Sequence, residues 1–295
     1  MSTQHSQIEE LIGYEFPPIT FSYTERDVCL YALGVGAPNN WRDQDELQFT
    51  YELSTLGFKV LPTFAVLYPT KLIEMLLSGK LGNLEFNPML MVHGEQYLEI
   101  NQQIPTSGVI TSHAKIAKIF DKGSGMILVT DISCRDEAGE EIVFNQSSTF
   151  VRGMGGFGGE RGPSGEINVP PDREPDAIHV QETLPQQALL YRLSGDINPL
   201  HADPIMAAIG GFDRPILHGL CTFGFAGRAV LKHFCDNDPS KFRSVKVRFA
   251  KHVFPGETLV TEMWKVSDKL IIFRTKVAER NEYVLTQAAA QIRAN

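Results

Sequence analysis

Two segments of this 295-residue chain are written in one pattern. LYALGVGAPNN begins at Leu30 and LYRLSGDINPLH at Leu190, and Leu30, Tyr31, Leu33 and Gly34 align with Leu190, Tyr191, Leu193 and Ser194 without a gap. A pattern that recurs so far along a chain predicts two related halves rather than two unrelated domains. Each copy follows a helix-start signal: Thr24 with Asp27, and Thr183 with Gln186, where Pro185 sits in the first turn. A second echo sets His93-Gly94 against His218-Gly219.

The strand pattern supports the division. Alternating or apolar runs predict strands near 96–104, 108–120, 125–134 and 141–152, and again near 243–250, 257–266, 269–279 and 283–293. From Gly219 a helix runs about four turns. It carries Leu220, Phe223, Val230, Leu231 and Phe234 beside the small Gly224, Ala226 and Gly227, with no solvent face before Arg228, so it is expected to be buried. The first-half counterpart falls around Phe64 to Leu77. Each half is therefore an antiparallel sheet wrapped around one helix, an α+β architecture. The divisions are residues 1–152, a linker at 153–177, and 178–295. Within the Gly-rich linker, GMGGFG resembles a dinucleotide loop, but ERGPSG follows it and no helix is there to receive a pyrophosphate.

Composition narrows the classes. The formal charge of −8 argues against nucleic acid as a partner. No apolar run reaches the ~20 residues of a membrane span. Cys29, Cys134, Cys221 and Cys235 have no metal-ligand spacing and read as free thiols. The N-terminus lacks a secretory pattern, which favours a cytosolic or post-translationally imported protein. A basic cluster of Lys241, Arg243, Lys246, Arg248 and Lys251 reads equally as a solvated strand face or an anion site.

The second copy of the repeat carries chemistry that the first lacks. Asp196, Asn198 and His201 surround Pro199, whereas the first copy has Gly36, Pro38 and Asn39 in that region. An acid and an imidazole can share the activation of a water and the delivery of a proton. Asn198 can hold the water or the pair through its amide. Gly219 offers a backbone N–H with a helix dipole behind it for a developing oxyanion. Taken alone, Asp-x-Asn-Pro is also a common turn device, and a single His is more often structural. His218 is read as structural, since Gly219 has the clearer role.

SGDINPLHADP and GFDRPILHGLCTFGFAGRAVL closely resemble the hydratase 2 motif of the MaoC-like (R)-specific enoyl-CoA hydratases. MVHGEQYLEI, FDKGSG, GGFGG, LYALGVGA and RFAKHVFPGETL extend the likeness over nearly the whole chain, toward the form found in eukaryotic peroxisomal multifunctional enzymes. The resemblance implies a double hot-dog fold with catalysis in the second half. It implies reversible hydration of trans-2-enoyl-CoA to (3R)-3-hydroxyacyl-CoA in fatty acid β-oxidation. Carried over by position, Asp196 and His201 form the dyad, Asn198 supports it and Gly219 is the oxyanion donor. His93, Gly94, Lys122 and Phe249 contact the acyl-CoA.

It further implies no metal and no cofactor beyond the coenzyme A of the substrate, a homodimer, and a peroxisomal setting. The altered first-half helix would leave room for a long acyl chain. Such units are often linked to a (3R)-hydroxyacyl-CoA dehydrogenase. Here the chain ends QIRAN, without an SKL-type signal, so a stand-alone cytosolic protein and a cut-out fragment both stay open. Two other activities are open to such a fold: an acyl-CoA thioesterase and a non-catalytic acyl-CoA-binding module.

Overall fold

The computed structural model describes residues 7–293; Met1 to Ser6 and Ala294-Asn295, on which the readings of the two termini partly rest, lie outside the described residues. The first half contributes β1 (Ile19–Tyr23), a small hairpin of β2 (Lys80–Leu81) and β3 (Leu84–Glu85), then β4 (Met91–Ile100), β5 (Gly108–Asp121), β6 (Gly125–Arg135) and β7 (Glu141–Arg152). The second contributes β8 (Ala177–Glu182), β9 (Phe242–Phe249), β10 (Thr258–Ser267), β11 (Leu270–Val277) and β12 (Glu282–Ile292).

Apart from the hairpin, all of these strands form one ten-stranded sheet in the order β1-β5-β6-β7-β4-β9-β12-β11-β10-β8. Read from either edge, the order is the same in both halves, so the internal repeat is a pseudo-twofold about the β4–β9 pair. That pair is antiparallel, with Glu95 opposite Arg248 and Tyr97 opposite Lys246. The two strands at the sheet edges, β1 and β8, are short and lie outside the expected set.

The junction settles the basic cluster. Arg248 and Lys246 both pair with Glu95, at 2.6 and 3.1 Å, and Arg243 pairs with Glu99 at 2.6 Å. Lys241 meets Asp236 and Lys251 approaches Glu282. The cluster is a compensated strand face, and each such partly exposed pair is worth only about 0–1 kcal/mol.

The helix from Gly219 to Phe234 is buried from Cys221 through Leu231. Arg228, expected where solvent begins, is instead 2% exposed and bonded to Glu46, itself 1% exposed, at 3.0 Å. The first-half counterpart is broken. Pro62–Leu67 forms a wholly buried 3-10 turn, and Lys71–Leu77 a separate helix. Pro69 lies between them, and its missing N–H and ring oppose a continuous helix.

Of the two helix-start signals, one acts as expected. Thr24 and Asp27 make a full capping box ahead of Glu25–Gly34. Thr183 does not cap: its hydroxyl donates to the Glu257 carbonyl and accepts from Gly256 N, both at 2.9 Å, and the helix Gln187–Tyr191 starts later. The second echo has diverged, as the strand pattern that follows His93-Gly94 predicts. β4 begins at Met91, so His93-Gly94 lies inside a strand at a bulge between His93 and Glu95, whereas His218-Gly219 starts a helix.

Side chains of the second half close the end of the first-half helix. The carbonyl of Gly34 accepts from Gln187 Nε2 at 2.7 Å and Cys221 Sγ at 3.3 Å. Val35 O accepts from Arg228 at 2.6 Å, and Gly36 O from Gln181 Nε2 at 2.8 Å. Carbonyls that a helix end leaves unpaired are thereby satisfied across the pseudo-twofold.

The glycine-rich linker wraps the chain's own carboxylate. Asp121 accepts from the N–H groups of Gly123, Gly156 and Gly158, each at 2.8 Å, which pulls its carboxyl down to about 2. This explains GMGGFG without a nucleotide. A carboxyl held down by folding stabilises the protein above the ordinary range near ~4 and loses that contribution as pH falls toward its folded value. Asp121→Asn is expected to lower the Tm by about 2–4 °C at pH 7. The gap from the parent should narrow between pH ~4 and ~2 in thermal scans.

Candidate active site

Gly195 closes the 3-10 turn Arg192–Ser194 with φ +129°, a left-handed conformation suited to glycine, and so sets the direction of Asp196. Asp196 Oδ1 accepts from Asn198 N at 3.2 Å, and Asn198 Oδ1 accepts from Leu200 N at 3.1 Å. Pro199 then opens the short turn Pro199–His201. The turn reading of this motif holds, and the same turns set the directions of the Asp196 carboxylate and the His201 imidazole.

His201 is buried and its Nδ1 lies 2.8 Å from the Ile216 carbonyl. A carbonyl only accepts, so Nδ1 carries the hydrogen and Nε2 of the neutral ring holds a free lone pair. Burial lowers the pKa of His201 below its usual value, against an opposing pull from Asp196 and the Ile216 bond. His218 is 1% exposed and donates Nε2–H to the Asp196 carbonyl at 3.1 Å. Burial, and to a lesser degree the neighbouring His201, hold its pKa well below the usual range. Its ring stacks on His201 with centroids 3.8 Å apart and planes at 28°, and Tyr191 approaches it at 4.9 Å. Among the described residues, His218 Nδ1 has no hydrogen-bond partner, a cost on the order of 1–3 kcal/mol for a buried group.

The ligating atoms of Asp196, His201 and His218 all lie within 4.8 Å of one another. A metal ion sits in the plane of each imidazole it binds, about 2.0–2.1 Å from the nitrogen. Rings stacked at 3.8 Å and tilted by 28° run their lone pairs side by side, so these two histidines do not converge on one ion as they stand.

Gly219 opens the buried helix, and no side chain caps that end. Its N–H has no acceptor within the helix and faces outward with the helix dipole behind it. A Cβ at Gly219 would press to 3.2 Å from the Phe249 ring, so any larger residue here would have to displace that ring by a few tenths of an ångström. His93 packs on the other partner of this group, with centroids 4.8 Å from Phe249, and donates Nε2–H to the Glu95 carbonyl at 3.1 Å. Burial takes His93 down to about 4. Gly94 is next to it, with the Ser148 carbonyl 3.2 Å from where its Cβ would be.

His93, Gly94, Phe249 and Gly219 are therefore neighbours. The described contacts of Lys122 lie elsewhere: its ammonium donates to the Pro163 carbonyl at 3.2 Å and sits 5.8 Å from the Phe120 ring. A cavity of about 400 Å³ opens beside the motif, lined by Thr70, Ile73 and Leu77 from the first half and Asp196, Ile197 and Asn198 from the second.

The corresponding first-half segment is filled. Gly36 lies so close to Phe225 that a Cβ would stand 2.5 Å from its ring. Asn39 N donates to Glu46, whose carboxylate also holds Arg228. His218, read from the sequence as structural, is packed against the motif. Its place directly before Gly219 was visible; its stacking on His201, 17 residues away in sequence, was not.

Residues 21–153 match the family described as the MFE-2 hydratase 2 N-terminal domain, and residues 166–288 match the MaoC like domain. The chain is 46% identical over 288 residues to a "Probable enoyl-CoA hydratase 2" of Dictyostelium discoideum, covering 97% of this chain and 96% of that protein. It is 47% identical to "Peroxisomal multifunctional enzyme type 2" of Mus musculus, but spans only 37% of that longer protein. Among solved structures, a MaoC-like dehydratase from Phytophthora capsici superposes with a TM-score of 0.87 at 35% identity, with 97% of both chains covered. The repeat, the paired half-sheets and these relatives agree: the chain belongs to the enoyl-CoA hydratase 2 family and has the MaoC-like double hot-dog fold.

Proposed function

We propose that the chain catalyses reversible hydration of trans-2-enoyl-CoA to (3R)-3-hydroxyacyl-CoA in peroxisomal β-oxidation. The observation that carries the site assignment is the fixed tautomer of His201, which presents Nε2 as a free base beside the Asp196 carboxylate. Water held between them, with Asn198 as a further anchor, gives a proton to Nε2 as its oxygen bonds to C3. The double bond's electrons move to the thioester oxygen, where Gly219 N–H accepts the developing charge. The proton then passes from His201 to C2, which restores the thioester and the neutral ring. His93, Gly94 and Phe249 line the approach of the thioester, and Lys122 serves the coenzyme A moiety from the glycine loop.

In this reading residues 1–152 support binding, 153–177 connect, and 178–295 carry the chemistry. The cavity between the halves takes the acyl chain. No step calls for a metal or a further cofactor. A homodimer and a linked dehydrogenase in a larger protein fit the same reading. Among the described residues no helix is long and apolar enough to cross a membrane.

The deciding experiment follows loss of enoyl absorbance over a chain-length series and determines the C3 configuration of the product. An R alcohol is expected. An S product overturns the assignment; release of free coenzyme A thiol instead identifies a thioesterase, and binding without turnover a sensing module.

A further inference from the structure

His218 touches each part of the proposed machinery without facing the cavity as a reactant. Its Nε2–H holds the Asp196 carbonyl, its face lies on His201, and its own carbonyl accepts from Cys221 N and Thr222 N to start the helix that presents Gly219. The unpartnered Nδ1 is informative. A glutamine or asparagine has a donor for Asp196 without an unpaired ring nitrogen; only an aromatic donor both reaches that carbonyl and covers His201.

We propose that His218 is a positioning residue that locks the Asp196 loop, the His201 ring and the Gly219 N–H into one rigid unit. This rests on the hydratase reading above. His201 must take up and release a proton while its ring stays aimed at one point. Its Nδ1 bond to Ile216 fixes one edge, and without a second restraint the ring can still tilt about that bond. The stacked His218 face supplies the restraint. Misplacement of reacting groups by about 1 Å costs on the order of 100-fold in rate, so loss of this strut should act on turnover more than on binding. The charged and titratable groups around the pair are Asp196 from the turn, Arg192 from the preceding 3-10 helix, and Tyr191.

Two variants separate the contacts. His218→Phe keeps the stack and loses the donor; His218→Gln keeps a donor and loses the stack. Each is expected to lower kcat about tenfold or more while KM changes by less than about threefold. In His218→Gln, water reaches the uncovered face of His201, so the acid limb of the pH–rate profile should move upward by about one unit. An NMR titration of His201 in the free protein should move the same way. If both variants keep the parental kcat and acid limb, with or without a fall in Tm, the proposal is overturned. Should one variant fail to fold, the other decides. Failure of the parent to hydrate enoyl-CoA would sink the hydratase reading, while the His201 titration would still report on the strut.

Discussion

His201→Ala is expected to lower kcat by at least about 100-fold, the usual scale for loss of a general acid–base group. The fold should survive. His201 is a small part of the interior, and the substitution gives up its bond from Nδ1 to the Ile216 carbonyl. The pH profile of the parent gives an independent check. Burial lowers the His201 pKa, so the ring stays neutral and basic as pH falls through the ordinary value near ~6.5, and activity should fall only below it. Asp196→Asn should cost a similar factor, because the amide keeps the Asx turn but cannot share the water's charge. Full activity of either variant on 2-decenoyl-CoA would remove these residues from the mechanism. Circular dichroism and a thermal scan guard against a folding artefact.

The largest effect on stability is expected at the ion pair between Glu46 and Arg228. Glu46→Gln removes one charge and leaves the Arg228 guanidinium buried among apolar side chains. Breaking such a pair costs about 3–5 kcal/mol, a large share of a typical domain's stability. The guanidinium would keep its bond to Val35 O and one acceptor in the amide oxygen, but would lose the second oxygen, whose place is taken by an NH2 that cannot accept. Lys232, which reaches Asp43 at 2.5 Å and Glu46 at 3.7 Å, would lose one partner as well. A double replacement by leucines should be milder than either single change, because no unpaired charge then remains inside. Urea unfolding midpoints test both statements; equal losses in single and double variants would show that packing rather than charge sets the cost.

How much of this was legible in the sequence depends on the range of the forces involved. The long strands alternate along their own length, and the helix from Gly219 is apolar on nearly every side, so both announce themselves locally. The motif loop is legible for the same reason: Asp196, Asn198 and His201 are five residues apart at most, and their turn is made by their own backbone. Edge strands β1 and β8 were missed because they are short and half-polar, with only one neighbour to pack against. β4 was started late because the bulge at Gly94 interrupts its alternation. Arg228 reads in the sequence as the onset of solvent because its partner, Glu46, lies in the other half of the chain. Thr183 has the residue pattern of a cap, but Glu257 and Gly256 outcompete the helix for its hydroxyl. His218 belongs to the same class: its role comes from a ring placed against it by the fold.

The carbonyls of residues 34–36 bear on the history of the repeat. Two identical halves would each have presented a free loop at this point and each could have carried a dyad. Here one loop has become an anchorage for Gln181, Gln187, Cys221 and Arg228 of the other. Restoring an acid and a histidine near Gly36 and Asn39 would require evicting that entire set together, and every intermediate would carry an unpaired buried group. On the function proposed above, a division of labour between the halves would thus be a ratchet, easy to enter one substitution at a time and closed to return by the same route.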